Sequence, residues 1–199
     1  MFEQYQALIF DMDGTLVDSG KLHEVAWTRT LEKYRIPVDR KLMRSLAGVP
    51  GVETLATLVK AFDCEVEEPL EAISAYKLSL VQELVTDYIK PTALKEIAEQ
   101  YHGRIPMSIG TGAYTAEAEA IIEYCGLSHL IDHLVGADQV AKPKPAPDTF
   151  LYCAELMGVE PSACVVFEDS VLGLEAAKRA GMDGIDVLER FGIENDYFL

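Results

Sequence analysis

Positive charge is scarce in this chain. Seventeen Lys and Arg stand against 33 Asp and Glu, a formal net charge of −16 at pH 7. Nucleic-acid phosphates need a basic footprint, so no nucleic-acid partner is expected. Long apolar runs are missing too. None reaches the roughly 18 residues of a membrane span, so no membrane partner is expected. Residues 1–6 hold no basic region of the kind that opens a secretory signal. Cysteine is sparse: Cys64, Cys125, Cys153 and Cys164 form no CxxC pair and no metal-ligand pattern. Cys153 and Cys164 sit in apolar surroundings and read as small core residues. A reduced, cytoplasmic protein is the expectation.

What is present is an ordinary globular composition, 49% hydrophobic and 25% charged over 199 residues. That length suits one domain, or a core with a smaller insertion, at roughly 100–200 residues per domain.

Apolar spacing divides the chain into two styles. Residues 5–10 read as a strand. From 21 to 88 the pattern is helical throughout, with pieces over 21–34, 42–46, 52–62 and 69–88 and no strand between about 19 and 90. Pro91 is expected to open a further helix over 92–101. Beyond it, strands at 105–109, 131–135, 164–167 and 184–187 alternate with helices at 116–125, 147–157 and 172–180. Gly126, Gly158 and Gly181 stand at the helix ends. Alternation of this kind implies an α/β fold, a Rossmann-like parallel sheet with right-handed crossovers and ligands at the carboxyl ends of its strands. The expected division is an α/β core from residues 1–17 and 91–199, with an inserted all-helical cap domain over 18–90. The tail 191–199 carries no readable signal.

The most informative run is Leu8-Ile9-Phe10-Asp11-Met12-Asp13-Gly14-Thr15. A buried strand stops at two aspartates spaced i, i+2, and a Gly-Thr turn follows. Such carboxylates lie on one face or turn into one cleft. There they repel unless a cation intervenes. Mg²⁺, which takes few carboxylates and keeps its waters, suits the place. One carboxylate is then available to attack phosphorus and the other to move a proton. A plain Asx-rich turn is the competing account.

Three further polar clusters fall where apolar strands end. Ser108-Ile109-Gly110-Thr111-Gly112 presents a hydroxyl and backbone N–H groups to an anion, or is simply a turn. Lys142-Pro143-Lys144-Pro145-Ala146-Pro147 stiffens a loop around Lys144, a point charge for a phosphate unless the loop is merely solvated. Phe167-Glu168-Asp169-Ser170 sets two acids after a buried run, with Ser170 capping the next helix. One acid is explicable as a cap, not both. With Asp11 and Asp13 they complete an oxygen-rich Mg²⁺ site. An acidic protein that binds phosphate needs local neutralisers, and these clusters supply them.

The four motifs, in this order and spacing, resemble those of the haloacid dehalogenase superfamily, beta-phosphoglucomutase-like branch. Within it the chain is similar to the short bacterial fructose-1-phosphate phosphatases. The stretch from Phe167 to Met182 is the most specific, and the resemblance spans the whole chain. It implies that Asp11 is the nucleophile and forms an aspartyl-phosphate, and that Asp13 protonates the leaving oxygen and then activates water. It implies that Thr111, Gly112 and Lys144 hold the phosphoryl group. Mg²⁺ would be ligated by Asp11, Asp13 (through its backbone carbonyl) and Asp169, with Glu168 in or beside that shell. His23 matches a position near the acid/base, and Lys77 a cap lysine that faces the cleft; an exposed helix face is the plainer account of each. Trp27 reads as cap packing, and His102, His129 and His133 as structural or surface residues.

The resulting expectation is a Mg²⁺-dependent sugar phosphatase, a monomer or weak dimer acting on a small sugar phosphate. A phosphosugar mutase is the nearest alternative. It would want an arginine in the loop Gly48-Val49-Pro50-Gly51-Val52-Glu53, where none stands and where Glu53 would repel a second phosphate. A non-catalytic regulatory protein on the same fold is the alternative of another class.

Overall fold

The computed structural model describes all 199 residues. Seven strands run β1 (Ala7–Phe10), β2 (Val17–Asp18), β3 (Lys90–Pro91), β4 (Met107–Gly110), β5 (His133–Val135), β6 (Cys164–Glu168) and β7 (Asp183–Asp186). The α-helices are α1 (Gly20–Lys33), α2 (Arg40–Ser45), α3 (Gly51–Phe62), α4 (Leu70–Tyr88), α5 (Leu94–Tyr101), α6 (Thr115–Tyr124), α7 (Asp148–Met157), α8 (Val171–Arg179) and α9 (Val187–Phe191).

Five strands form the expected parallel sheet in the order β5-β4-β1-β6-β7. The period-2 alternation of side chains sorts its residues onto two faces. Leu8, Phe10, Met107, Ile109, Val165 and Phe167 join one core cluster with residues of α5 and α6. Ala7, Ile9, Val135, Cys164 and Val166 join the other with residues of α7 and α8. Both faces are covered, which is why these strands read as continuous apolar runs. Cys153 and Cys164 are buried here, and burial pushes their thiols up to about 12 and about 11. They stay protonated and inert, as small core residues should.

β1 is central, and the chain winds from it to β4 and β5, then jumps back to β6 and β7. The switch point lies beside β1, where such sheets bind ligands. Phe10 is level with Ile109 and Phe167, so one residue further Asp11, just past β1, stands level with Gly110 and Glu168, the last residues of β4 and β6.

Helices α1 to α4 lie between β2 and β3, which pair antiparallel with Val17 opposite Pro91 and Asp18 opposite Lys90. Pro91 therefore sits in this two-residue ribbon rather than opening a helix. Thr92 takes over the turn: its hydroxyl donates to Thr15 O (2.6 Å) and accepts from Leu94 N (3.3 Å). The helices of the insertion have their own core, built on Trp27, Leu31, Met43, Leu55, Leu58 and Ile73. Tyr197 and Phe198 belong to that same cluster. The tail is thus not featureless: α9 and the residues after it return across the molecule to the insertion. No helix is long and apolar enough to cross a membrane.

Candidate active site

The site forms where β1, β4 and β6 end, under the insertion. Asp11 follows β1, and its backbone N–H donates to Phe167 O (2.9 Å), which ties it to β6. A cavity of about 250 Å³ opens there, lined by Asp11, Asp13, Thr111, Gly112, Glu168 and Asp169 from the core and by His23, Trp27 and Lys77 from the insertion. It lies at or just below the small end of ligand pockets, about 300–1,000 Å³, and suits a small metabolite. The cavity is closed partly by contact between the two halves. A Cβ on Gly112 would fall inside the Gly48 carbonyl, so Gly112 lets the loops approach this closely, while Gly48 is suited to its own φ of 78°.

Lys144 lies beneath the cavity rather than on a solvated loop. Its side chain is 2% exposed, and Nζ donates at 2.7 Å to both Asp11 Oδ1 and Glu168 Oε1. Burial alone would lower the ammonium's proton affinity. The two carboxylates outweigh it and hold the group above its ordinary value. Glu168 is fully engaged, since its Oε2 accepts from Ser170 N (2.7 Å) and Ser170 Oγ (2.9 Å). Ser170 also caps α8 by accepting from Gly173 N, as expected. Thr111 is buried, and its hydroxyl accepts from Ala113 N (3.1 Å) while keeping its proton for a ligand.

Asp11, Glu168 and Asp169 bring one carboxylate oxygen each within 4.8 Å of one another. Burial, opposed by Lys144 and reinforced by Glu168 and Asp169, pushes Asp11 well above the ordinary carboxyl value. Burial and then the charge of Glu168 push Asp169 up to about 6. This is a trio of hard oxygen donors with more negative charge than one lysine offsets, and it fits a divalent cation such as Mg²⁺. Asp13 turns the other way. Its Oδ1 accepts from Ser19 Oγ (2.5 Å) and from His23 Nε2 (2.9 Å), so its carboxylate stands apart from the trio. Burial would raise Asp13; His23 and Ser19, which donate to it, and the Lys77 ammonium beyond them hold it below the ordinary value.

His23 and Lys77 face inward. Lys77 Nζ lies 3.1 Å from His23 Nδ1 and 3.1 Å from Glu117 Oε1. An ammonium only donates, so Nδ1 accepts and Nε2 carries the proton that Asp13 receives. The row Asp13, His23, Lys77, Glu117 links core, insertion and core again. Trp27 both packs in the insertion and walls the cavity, with Lys77 Nζ 5.8 Å from its ring. Glu53 does not serve the loop as expected. It is exposed in the first turn of α3, where a carboxylate complements the helix N-terminus, and the acids that line the cavity opposite the trio are Glu71 of the insertion and Glu117 of α6. His102, His129 and His133 lie away from the cavity.

Sequence reasoning did not find Ser19, Glu117, Asn195 or Tyr197, all of which line the cavity. Ser19 precedes a helix and looks like an ordinary cap, yet its hydroxyl goes to Asp13. Glu117 looks like any helix-surface acid; only the packing of α4 on α6 gives it Lys77.

The charge of the trio sets a pH dependence. Asp169 has a folded-state value of about 6 against an ordinary 3.8, so protons favour the folded state. That contribution is complete below the ordinary value and is lost as pH rises through about 6. Asp13 and Glu24, which are lowered, act the opposite way but only below their own ordinary values. Without metal the protein should therefore lose about 1 kcal/mol, or roughly 2–4 °C of melting temperature, between about pH 5 and pH 7. Saturating Mg²⁺ should flatten the slope. Calorimetric scans at the two pH values check this, and a metal-free melting temperature that rises with pH would contradict it.

The fold and the site define a class, a parallel-sheet α/β protein whose central strand ends at a buried carboxylate under an inserted helical segment. The haloacid dehalogenase-like hydrolase model matches residues 5–181, and the chain belongs to that family. A fructose-1-phosphate phosphatase of Escherichia coli is 41% identical over 94% of this chain and 98% of its own length. A phosphorylated carbohydrates phosphatase of Thermotoga maritima is 34% identical over 90% of this chain and 83% of its own. Among solved structures, a beta-phosphoglucomutase from Clostridium difficile matches with a TM-score of 0.78 at 25% identity, over 90% of this chain and 83% of that one.

Proposed function

We propose that the protein hydrolyses small sugar monophosphates of the fructose 1-phosphate kind through an aspartyl-phosphate on Asp11. The observation that carries this is the convergence of Asp11, Asp13, Lys144 and the acidic trio at a small cavity between core and insertion. An Asp11 oxygen attacks phosphorus and the bond to the sugar oxygen breaks. Asp13 gives that oxygen a proton. Water then attacks the phosphorus, its proton passes to Asp13, the bond to Asp11 breaks and inorganic phosphate leaves. Asp13 rests ionised; a phosphate dianion brought alongside raises its proton affinity and readies it as the acid. His23, held by Lys77, keeps Asp13 aimed. Thr111 and the N–H groups beside Gly112 take the phosphoryl oxygens, and Lys144 balances charge from beneath. Mg²⁺ would be held by Asp11, Asp169 and the Asp13 carbonyl, with Glu168 beside them, and would neutralise charge on the transferring group.

In this reading residues 1–17 and 91–199 are the catalytic core, and 18–90 the cap that pivots on the β2–β3 ribbon and excludes water. Four free thiols suit a cytoplasmic setting, and a monomer or weak dimer suffices, since one chain supplies the whole site.

Hydrolysis is favoured over mutase chemistry by the cavity wall. No arginine lines it, and Lys77 is already committed to Glu117 and His23. A second phosphate has no cation to grip it. The enzyme should release phosphate from fructose 1-phosphate with Mg²⁺, should stop in EDTA, and should need no sugar bisphosphate primer. β-Glucose 1-phosphate with a trace of glucose 1,6-bisphosphate is the deciding assay. Rapid formation of glucose 6-phosphate with little free phosphate would overturn the phosphatase reading; full activity in EDTA would overturn the metal.

A further inference from the structure

Asp169 is the one member of the acidic trio that Lys144 does not touch. Its partners are Thr15, whose hydroxyl donates to Oδ1 at 3.3 Å, and Asn195, whose Nδ2 donates to Oδ2 at 2.6 Å. Asn195 comes from the tail, beyond the residues 5–181 that the family model covers. Its amide is held at both ends. The oxygen accepts from Tyr197 N (3.0 Å), which leaves the NH₂ for Asp169 and fixes the orientation of the group.

The tail reaches this point along a prepared path. Gly192, with φ of 67°, ends α9 and turns the chain. Ile193 and Glu194 then pass beside the ribbon, walling a cavity of about 290 Å³ whose other side is Gly14, Asp18 and residues 90–93. At Gly14 a Cβ would fall within the Asn195 side chain, and at Gly20 it would meet Asn195, Asp196 and Tyr197. Two glycines on the core–insertion connection thus make room for the tail.

From Asn195 onward the tail is held by the insertion. Arg44 on α2 donates to the carbonyls of Asn195 and Tyr197, the latter at 2.8 Å. Phe198 N donates to Glu24 Oε2 on α1 (3.1 Å), and Arg40 reaches both Glu24 (3.1 Å) and the Leu199 carbonyl. Tyr197 and Phe198 are 6% and 3% exposed within the insertion's own core. Asn195 is therefore tethered to the insertion by its backbone and to the core's acids by its side chain.

We propose that Asn195 is a positioning residue for the cation site, and that the tail couples that site to the docking of the insertion. With the insertion docked, Arg44 holds the tail so that Asn195 orients Asp169 toward the cation. With it swung away, Asp169 loses this partner and the cation is held less tightly. Groups that orient metal ligands from behind are typically worth about 10–100-fold in metal affinity. The inference rests on the Mg²⁺ reading above.

The test is a calorimetric titration of Mg²⁺ alone, without substrate, into the wild type, Asn195→Ala and Arg44→Ala, with melting curves alongside. Asn195→Ala should weaken Mg²⁺ binding about 10-fold or more. Arg44→Ala should weaken it in the same direction by less, although Arg44 touches no acid of the trio. In steady state the Mg²⁺ needed for half-maximal activity should rise in both variants, while KM for the sugar phosphate at saturating Mg²⁺ stays near that of the wild type in Arg44→Ala, whose side chain does not line the cavity. Unchanged Mg²⁺ affinity in a folded Asn195→Ala protein would overturn the positioning role. Should that variant fail to fold, unchanged affinity in Arg44→Ala would overturn the coupling. A wild type that binds no Mg²⁺ would overturn the metal reading and this proposal with it.

Discussion

Asp11→Asn is expected to lower phosphate release from a sugar monophosphate by about 10⁴-fold or more, with the protein still folded. An amide is too poor a nucleophile to open a phosphoester and too poor a donor to replace a carboxylate beside a divalent cation. The fold should tolerate it because Asp11 is buried and its charge is disfavoured there, as its raised proton affinity records. Lys144 keeps Glu168 as a partner at 2.7 Å. Wild-type protein quenched during turnover should carry one phosphoryl adduct by mass spectrometry, and the variant none. A near-normal rate in Asp11→Asn would remove the nucleophile from Asp11.

Lys144→Met should damage stability as well as activity. The methionine keeps much of the packing against Phe150, whose ring centroid lies 4.6 Å from the ammonium. It leaves Asp11 and Glu168 facing each other with no cation between them. Breaking a buried ion pair from one side costs about 3–5 kcal/mol. At roughly 2–4 °C per kcal/mol for a chain of this size, the melting temperature should fall by about 6–20 °C. Part of the loss should return in acid, where the stranded carboxyls take up protons, and part with Mg²⁺. A wild-type melting temperature in metal-free buffer at neutral pH would show that Lys144 is not the counter-charge described here.

The parts of this molecule that the sequence disclosed share a physical cause. Asp11, Thr111, Glu168 and Asp169 end or follow strands buried on both faces, so a run of apolar residues points to each one, while Lys144, in the loop between β5 and α7, is marked by the prolines around it. Their chemistry is local to short segments, and the parallel sheet brings those segments together. His23 and Lys77 were legible only through the resemblance, since one inward-facing turn of a helix looks much like an outward-facing one. Glu53 shows the reverse error: it adjoins the right loop, but the start of α3 turns it to solvent. Asn195 had no local signal at all. Its role depends on a partner 26 residues away in sequence and on a tail whose apolar pair, Tyr197 and Phe198, is too short to show a period.

The ribbon of β2 and β3 bears on how the chain folds. Leu8 pairs with Met107 across 107 − 8 = 99 residues of chain. Val17 pairs with Pro91, so the folded insertion brings two points 91 − 17 = 74 residues apart into contact. Apart from Tyr197 and Phe198, the core its helices share comes from within that stretch, so they are suited to form before Leu8 meets Met107. Once they do, the loop between Leu8 and Met107 shrinks from 99 residues to an effective 99 − 74 = 25. Each halving of loop length lowers the closure cost by about 0.6 kcal/mol, and this is two halvings. The element that lids the pocket in the finished enzyme thus doubles, during folding, as a tether that brings the central strand to its first neighbour.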